Sequence, residues 1–301
     1  MGKNLAVGYK FVYIFRRFKN FMKRSNKRII PGFGLSMGVT VTLLSVIVLI
    51  PLASLVIFTA QLSFSDIIAV ITRDRVLASF KVSFLTAFVA SLINAVMGVI
   101  LAWVLVRYDF PFKRILDGMI ELPFALPTAV AGIALTSLTA DKGIIGSFFA
   151  KFGIKIAYTR AGITVALVFI GIPFVVRAVQ PVLEKLDGSL EEAASTLGAS
   201  RSRTFWQVIF PEIMPAVFTG FGLAFGRCLG EYGSVVFIAG NQPFETEITP
   251  LIIMSELQEY DYASATAIAL VMLAASFLIL FLVNLIQVRN SKILRGGGKG
   301  A

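Results

Sequence analysis

The sequence contains no histidine and a single cysteine, Cys228. An intrachain disulfide is therefore impossible, and the lack of imidazole removes histidine-based metal ligation and acid–base chemistry. Charge is scarce as well. Only 15% of the 301 residues are charged, where a soluble domain carries about 25%. Acids are the scarcer sign, 17 against 28 bases, and none precedes Pro31. What fills the chain instead is apolar: 57% of residues are hydrophobic and the mean hydropathy is +0.84. Lipid is thus the expected solvent for most of it. A net charge of +11 would suit nucleic acid in a soluble protein. In a membrane protein basic residues chiefly set topology, so no nucleic-acid partner is expected.

Six stretches are long enough to cross a hydrocarbon core about 30 Å thick, which takes about 20 helical residues. They run Leu35–Ala60, Val82–Val106, Met119–Leu138, Gly162–Val182, Ile213–Ala239 and Ala263–Val288. The runs are continuous rather than alternating, which selects helices over barrel strands. The expected fold is all-α: one integral membrane domain over 35–288, a basic tail over 1–34 and a short tail over 289–301. The first run is too long for the core of a signal peptide and no small-residue cleavage pattern closes it, so it reads as a first span that is kept. The run Gly296–Gly300 lacks the spacing of a phosphate loop and reads as flexible tail.

Lys and Arg divide unevenly between the connections. Nine in the N-terminal tail share a side with Arg107, Lys113, Arg114, Arg177, Lys185, Arg201, Arg203, Arg289, Lys292, Arg295 and Lys299. The opposite side has Arg73, Arg75, Lys81, Lys142, Lys151, Lys155 and Arg160. The imbalance, 20 against 7, predicts cytoplasmic termini. The last outer connection carries Glu245, Glu247, Glu256, Glu259 and Asp261 with no base. It reads either as solvated surface or as a docking rim. Such a rim repels a free anion, so an anionic substrate would need a carrier protein.

The connection 183–212 differs from the others. Ser189 with Glu192 three positions later predicts a capping box opening a short helix, and Gly198 is placed to end it. A second segment, Arg201 to Phe210, is basic and aromatic, and Pro211 marks the approach to the fifth span. A helix–turn–helix element against the membrane surface is expected. The run Glu192-Ala193-Ala194, three residues, Gly198, nine residues, then Val208-x-Phe210-Pro211 resembles the EAA loop of ABC importer permeases. Val208 and Phe210 depart from that family's isoleucine and leucine. The resemblance implies a type I importer permease fold and a helix that inserts into a separate ATPase subunit. Ala193, Ala194 and Gly198 would keep it slim, and Glu192 would hold its start. ATP and magnesium would then belong to the partner, leaving this chain without cofactor, metal or catalytic residue.

Within the fifth span Arg227 and Glu231 stand one turn apart. Charges at such depth usually face a protein interior or water. An i,i+4 salt bridge along the helix and a role in an anion path are both open readings. Gly222, Gly226 and Gly230 form a small-residue stripe suited to helix packing or to a sliding gate. Pro123 and Pro127 are placed to bend the third span and free carbonyls towards a cavity.

Three stretches, Leu122–Thr136, Asp141–Gly146 and Gly226–Asn241, resemble the sulfate/thiosulfate branch of the importer permeases, its T-type rather than W-type subunit. The similarity covers roughly 36–287. It implies a bacterial-type inner membrane location and five parts: this chain, a second related permease, two ATPase subunits and an extracytoplasmic sulfate-binding protein. A molybdate or tungstate permease is the alternative, sharing the Arg-x-x-Gly-Glu region. A carrier with inverted repeats or a membrane enzyme fits less well, because neither repeats nor a catalytic cluster are visible.

Overall fold

The computed structural model describes residues 33–296, with side chains as far as Leu285, and every regular element among them is helical. The basic residues expected in tails before residue 33, and Lys299, lie outside the described residues, as do the side chains of Arg289, Lys292 and Arg295. The chain divides into two compact units, one ending at Ser54 and one starting at Leu55. In the first, the described residues form most of α1 (Phe33–Thr59), whose side chains are apolar and exposed, Leu35 and Ile47 among them.

The second unit continues with α2 (Phe64–Ile71), α3 (Asp74–Arg107), α4 (Lys113–Ile120), α5 (Leu122–Ala125), α6 (Thr128–Thr139) and α7 (Ile144–Ala150). There follow α8 (Arg160–Lys185), α9 (Ser189–Thr196), α10 (Arg201–Thr204), α11 (Phe210–Leu229), α12 (Val235–Ile238), α13 (Thr249–Gln258) and α14 (Tyr262–Gly296). Among the described residues, five helical stretches are long and apolar enough to span a membrane. A sixth arises if α6 and α7, bent by 41° against each other, count as one.

The core is built where α3, α8 and α11 pack together. Val82, Ala87, Ile163, Leu167, Phe225 and Leu229 fill one half; Ala102, Leu105, Val175, Val179, Leu183 and Ile213 fill the other. The helices approach closely because small residues face Val175. A Cβ on Gly98 would fall 2.6 Å from Val175 Cγ1, and one on Gly220 would fall 2.8 Å from Val175 Cα.

Three expectations need correction. The third span is not one helix over Met119–Leu138. It breaks around Pro123 and Pro127 into α5 and α6, and its apolar length is recovered only by α7. Each proline lacks an N–H and restricts the residue before it, so Leu126, before Pro127, adopts an extended conformation. Arg177 of α8 pins the entry to this break through Asp117 (2.7 Å) and Glu121 (2.7 Å). The fifth span likewise does not run unbroken to Ala239: α11 ends at Leu229, and α12 begins only at Val235. Finally, the segment from Arg201 does not form a separate loop helix. It runs through a π-helical turn, Phe205–Ile209, directly into α11. Pro211 supplies the reason: its ring would strike the carbonyl of Gln207 in a regular α-helix, and the wider turn makes room.

Candidate coupling surface and buried break

The helix α9 is set by what flanks it. The Ser189–Glu192 capping box does not form. Instead the Asp187 carboxylate accepts the Ser189 backbone N–H at 3.0 Å, and these hydrogen bonds from Ser189 hold Asp187 below the usual aspartate range. The aspartate two residues upstream satisfies the orphan amide, so the serine hydroxyl is not needed. At the other end Gly198 takes φ +79°. Its N–H donates to the Ser195 carbonyl at 2.9 Å and that of Ala199 to the Ala194 carbonyl at 3.0 Å, a Schellman closure.

No residue of α9 is buried. Glu191 and Ala194, three apart and therefore on one side, are half-covered, while Glu192 and Ala193 are exposed. Gly198 is exposed too. Leu190, Leu197 and Trp206 on the same connection are 44%, 88% and 60% exposed. The motif residues Glu192 and Ala193 thus present themselves outward on a slim helix with apolar neighbours. Pro211 lies apart from them, in the first turn of α11.

The second candidate region is the meeting of the two broken spans. Glu231 is 2% exposed and lies beyond the end of α11, so its 2.6 Å bridge to Arg227 closes around a helix terminus rather than along a helix. Its other oxygen accepts the Ser234 N–H at 2.8 Å and lies 3.0 Å from the Ser234 hydroxyl, tying the break to the start of α12. Arg227 sits where the helix dipole favours a cation. It also lines an open groove of ≈ 520 Å³ with Gly222, Gly226, Leu280 and Asn284. The two breaks interlock. A Cβ on Gly132 of α6 would fall 2.4 Å from the Ser234 carbonyl oxygen, and one on Gly233 would fall 2.1 Å from Thr128 Oγ1. The structure therefore brings Pro127, at the start of α6, beside the Glu231 break. Pro123 stays one element away, in α5. The glycine stripe is looser: the nearest atoms to a Cβ on Gly222 and Gly226 are Leu280 side-chain carbons at 3.8 and 3.4 Å, and nothing lies within 4 Å of one on Gly230.

Sequence reasoning missed a third cluster, at the end of α3 away from α9. Arg75 binds Glu247 through two hydrogen bonds, 2.8 and 2.6 Å, and Arg73 reaches Glu256 at 3.2 Å. Ser83 accepts the Thr249 N–H at 2.8 Å, fixing the start of α13. Two of the five acids in the supposed rim are thus spent on ion pairs with arginines at the start of α3. Burial pushes Glu256 above the usual glutamate range against the pull of Arg73, while Ser264 holds Asp261 below the aspartate range. The serine spacing at 79 and 83 inside an apolar run was the available signal.

A family profile described as binding-protein-dependent transport system inner membrane component matches residues 94–292. The chain belongs to this family. The match takes in α9, both breaks, the C-terminal part of α3 and most of α14. Among relatives of this inner membrane component, the sulfate transport system permease protein CysT of Escherichia coli (strain K12) is 52% identical over 272 residues, 90% of this chain and 98% of its own. The protein of the same name from Synechocystis is 47% identical over 249 residues, covering 83% of this chain and 87% of its own. The fold is that of type I ABC importer permeases. A chain in the crystal structure of a bacterial alginate ABC transporter, bound to a periplasmic protein carrying an alginate pentasaccharide, superposes with a TM-score of 0.72. It covers 90% of this chain and 99% of its own, at 18% identity.

Proposed function

We propose that this inner membrane component is the pore subunit of an ATP-driven sulfate/thiosulfate importer, working by alternating access and holding no nucleotide itself. The observation that carries the substrate is the 52% identity, nearly end to end, to a sulfate permease. In this reading α9, led by Glu192 and Ala193 and closed at Gly198, seats in a cleft of an ATPase subunit that binds ATP and magnesium. The exposure of Glu192 and Ala193 supports that role. Closure of two such subunits around ATP draws the connections together and moves α8 and α11 with them. A second related permease completes the pore, and a sulfate-binding protein delivers the anion from outside. The excess of basic residues on one side supports cytoplasmic termini. Arg227, in its open groove at the buried break, is the group of this chain that would offer a dianion positive potential.

The test is labelled-sulfate uptake in cells lacking their own sulfate permease, supplied with this chain and its partners. Energy-dependent uptake blocked by excess thiosulfate and little affected by molybdate is expected. Molybdate transport without sulfate transport, from a properly assembled complex, would overturn the substrate assignment.

A further inference from the structure

Among the described residues, one ion pair ties α9 to a long apolar helix: the guanidinium of Arg107, through Nη2, with the Glu191 carboxylate. Arg107 is the last residue of α3, where the dipole favours a cation. One turn back, Trp103 carries its Cζ 5.5 Å from the ring centroid. The opposite partner of Trp103 is Phe205, edge-on at 5.4 Å. Phe205 opens the π-helical turn and contacts Trp206 (5.2 Å) and Phe210 (6.1 Å). Arg107 is therefore the hub between α9, the end of α3 and the irregular entry to α11. Its Nε is buried and has no hydrogen-bond partner among the described residues, so only part of the guanidinium fork is used there. A carboxylate that shifts along with α9 can engage the second donor without leaving the first.

We propose that Arg107 is a positioning residue for energy coupling: through Glu191 it transmits displacement of α9 to α3 and, by way of Trp103 and Phe205, to α11. The inference rests on the reading of α9 as the ATPase-docking helix. Glu192 and Ala193 face outward to the partner, whereas Glu191 faces inward to Arg107. Docking and transmission are thus assigned to adjacent side chains that leave one helix in different directions. An ion pair at this site suits transmission better than apolar contact, since it resists separation in a half-buried setting while permitting the carboxylate to pivot.

The experiment uses the assembled complex in proteoliposomes, measuring sulfate uptake and ATP hydrolysis together. Arg107→Gln and Glu191→Gln should each keep the ATPase subunits bound and hydrolysing. Sulfate moved per ATP should fall by about three- to thirtyfold, the range typical of broken coupling networks. The exchange Arg107→Glu with Glu191→Arg rebuilds the pair without the cation over Trp103 and should restore part of the ratio, while ATPase binding and hydrolysis stay level across all three variants, which a purely structural role would not predict. Unchanged stoichiometry in the single variants, or no recovery in the exchange, overturns the proposal. Should a single variant fail to assemble, Trp103→Leu reads the same relay at its next contact: a normal ratio there counts against it. Glu192→Lys separates the underlying reading. Loss of ATPase binding in that variant with normal coupling in Arg107→Gln rejects only the relay; normal coupling in both rejects the docking role of α9.

Discussion

Glu231 and Arg227 show how one residue's environment decides its part. Glu231 is almost wholly buried, and both its oxygens are engaged, one by Arg227 and the other by Ser234. Glu231→Gln keeps the Ser234 hydrogen bonds but leaves Arg227 unmatched. Thermal unfolding in detergent should show a loss of about 1–3 kcal/mol, below the ~3–5 of a fully buried pair because the Arg227 side chain is 34% exposed. The double change Arg227→Met with Glu231→Gln should recover most of that stability yet lose sulfate uptake; retained uptake would reduce the pair to a structural tie. Glycines in the same helix diverge for a similar reason. Gly220→Val pushes into the Val175 backbone and should cost about 1–3 kcal/mol. Gly222→Ala, with 3.8 Å of clearance, should stabilise by up to about 1 kcal/mol through the unfolded chain. Melting temperatures shifting in the same direction would contradict this contrast.

At the level of elements, α9 depends on its two closures. The Asp187 carboxylate is lowered by its hydrogen bonds from Ser189, so its capping contribution is full above the unfolded aspartate range, near 3.9, and is lost as pH falls through the lower folded value. Amide protection at Ser189 should therefore be unchanged from neutral pH to about 5, and Asp187→Ala should remove it at every pH. Gly198→Asp forces a side chain into a left-handed position and, like Glu192→Lys, should leave the protein inserted but uncoupled in the uptake assay. The existence of α3, α8 and α14 and the closing role of Gly198 were legible from apolar runs and spacing, because those features are local. The breaks were not. Pro123 and Pro127 announced a bend, but where the third span resumes depends on Gly132 meeting Ser234 and Thr128 meeting Gly233, across about a hundred residues of chain. The cap was misread because Asp187 and Ser189 offer competing local solutions to the same orphan amide. Glu247 looked solvated because nothing in its own segment reveals Arg75.

For the whole molecule, large apolar side chains on α3, α6 and α14, such as Leu92, Val130 and Phe277, remain exposed, as expected of surfaces met by lipid or by a second permease. If the pore is mixed, copies of this chain alone should not transport sulfate even when bound to ATPase subunits; uptake by such a complex would indicate a pore of two like chains. The interlocked breaks also bear on how the protein is made. The 12 residues of α6 are about 18 Å long, well short of a 30 Å hydrocarbon core, and their start, which no side chain caps, needs protein rather than lipid around it. That protein is residues 230–235, synthesised roughly a hundred residues later. The third span therefore has no finished seat in the bilayer when it leaves the ribosome. It must wait, shielded by the insertion machinery or lodged at the interface, until the fifth arrives. Biogenesis of this region is then a paired event, and a chain truncated before Gly230 should leave residues 126–150 open to protease while α1 and α3 are already protected.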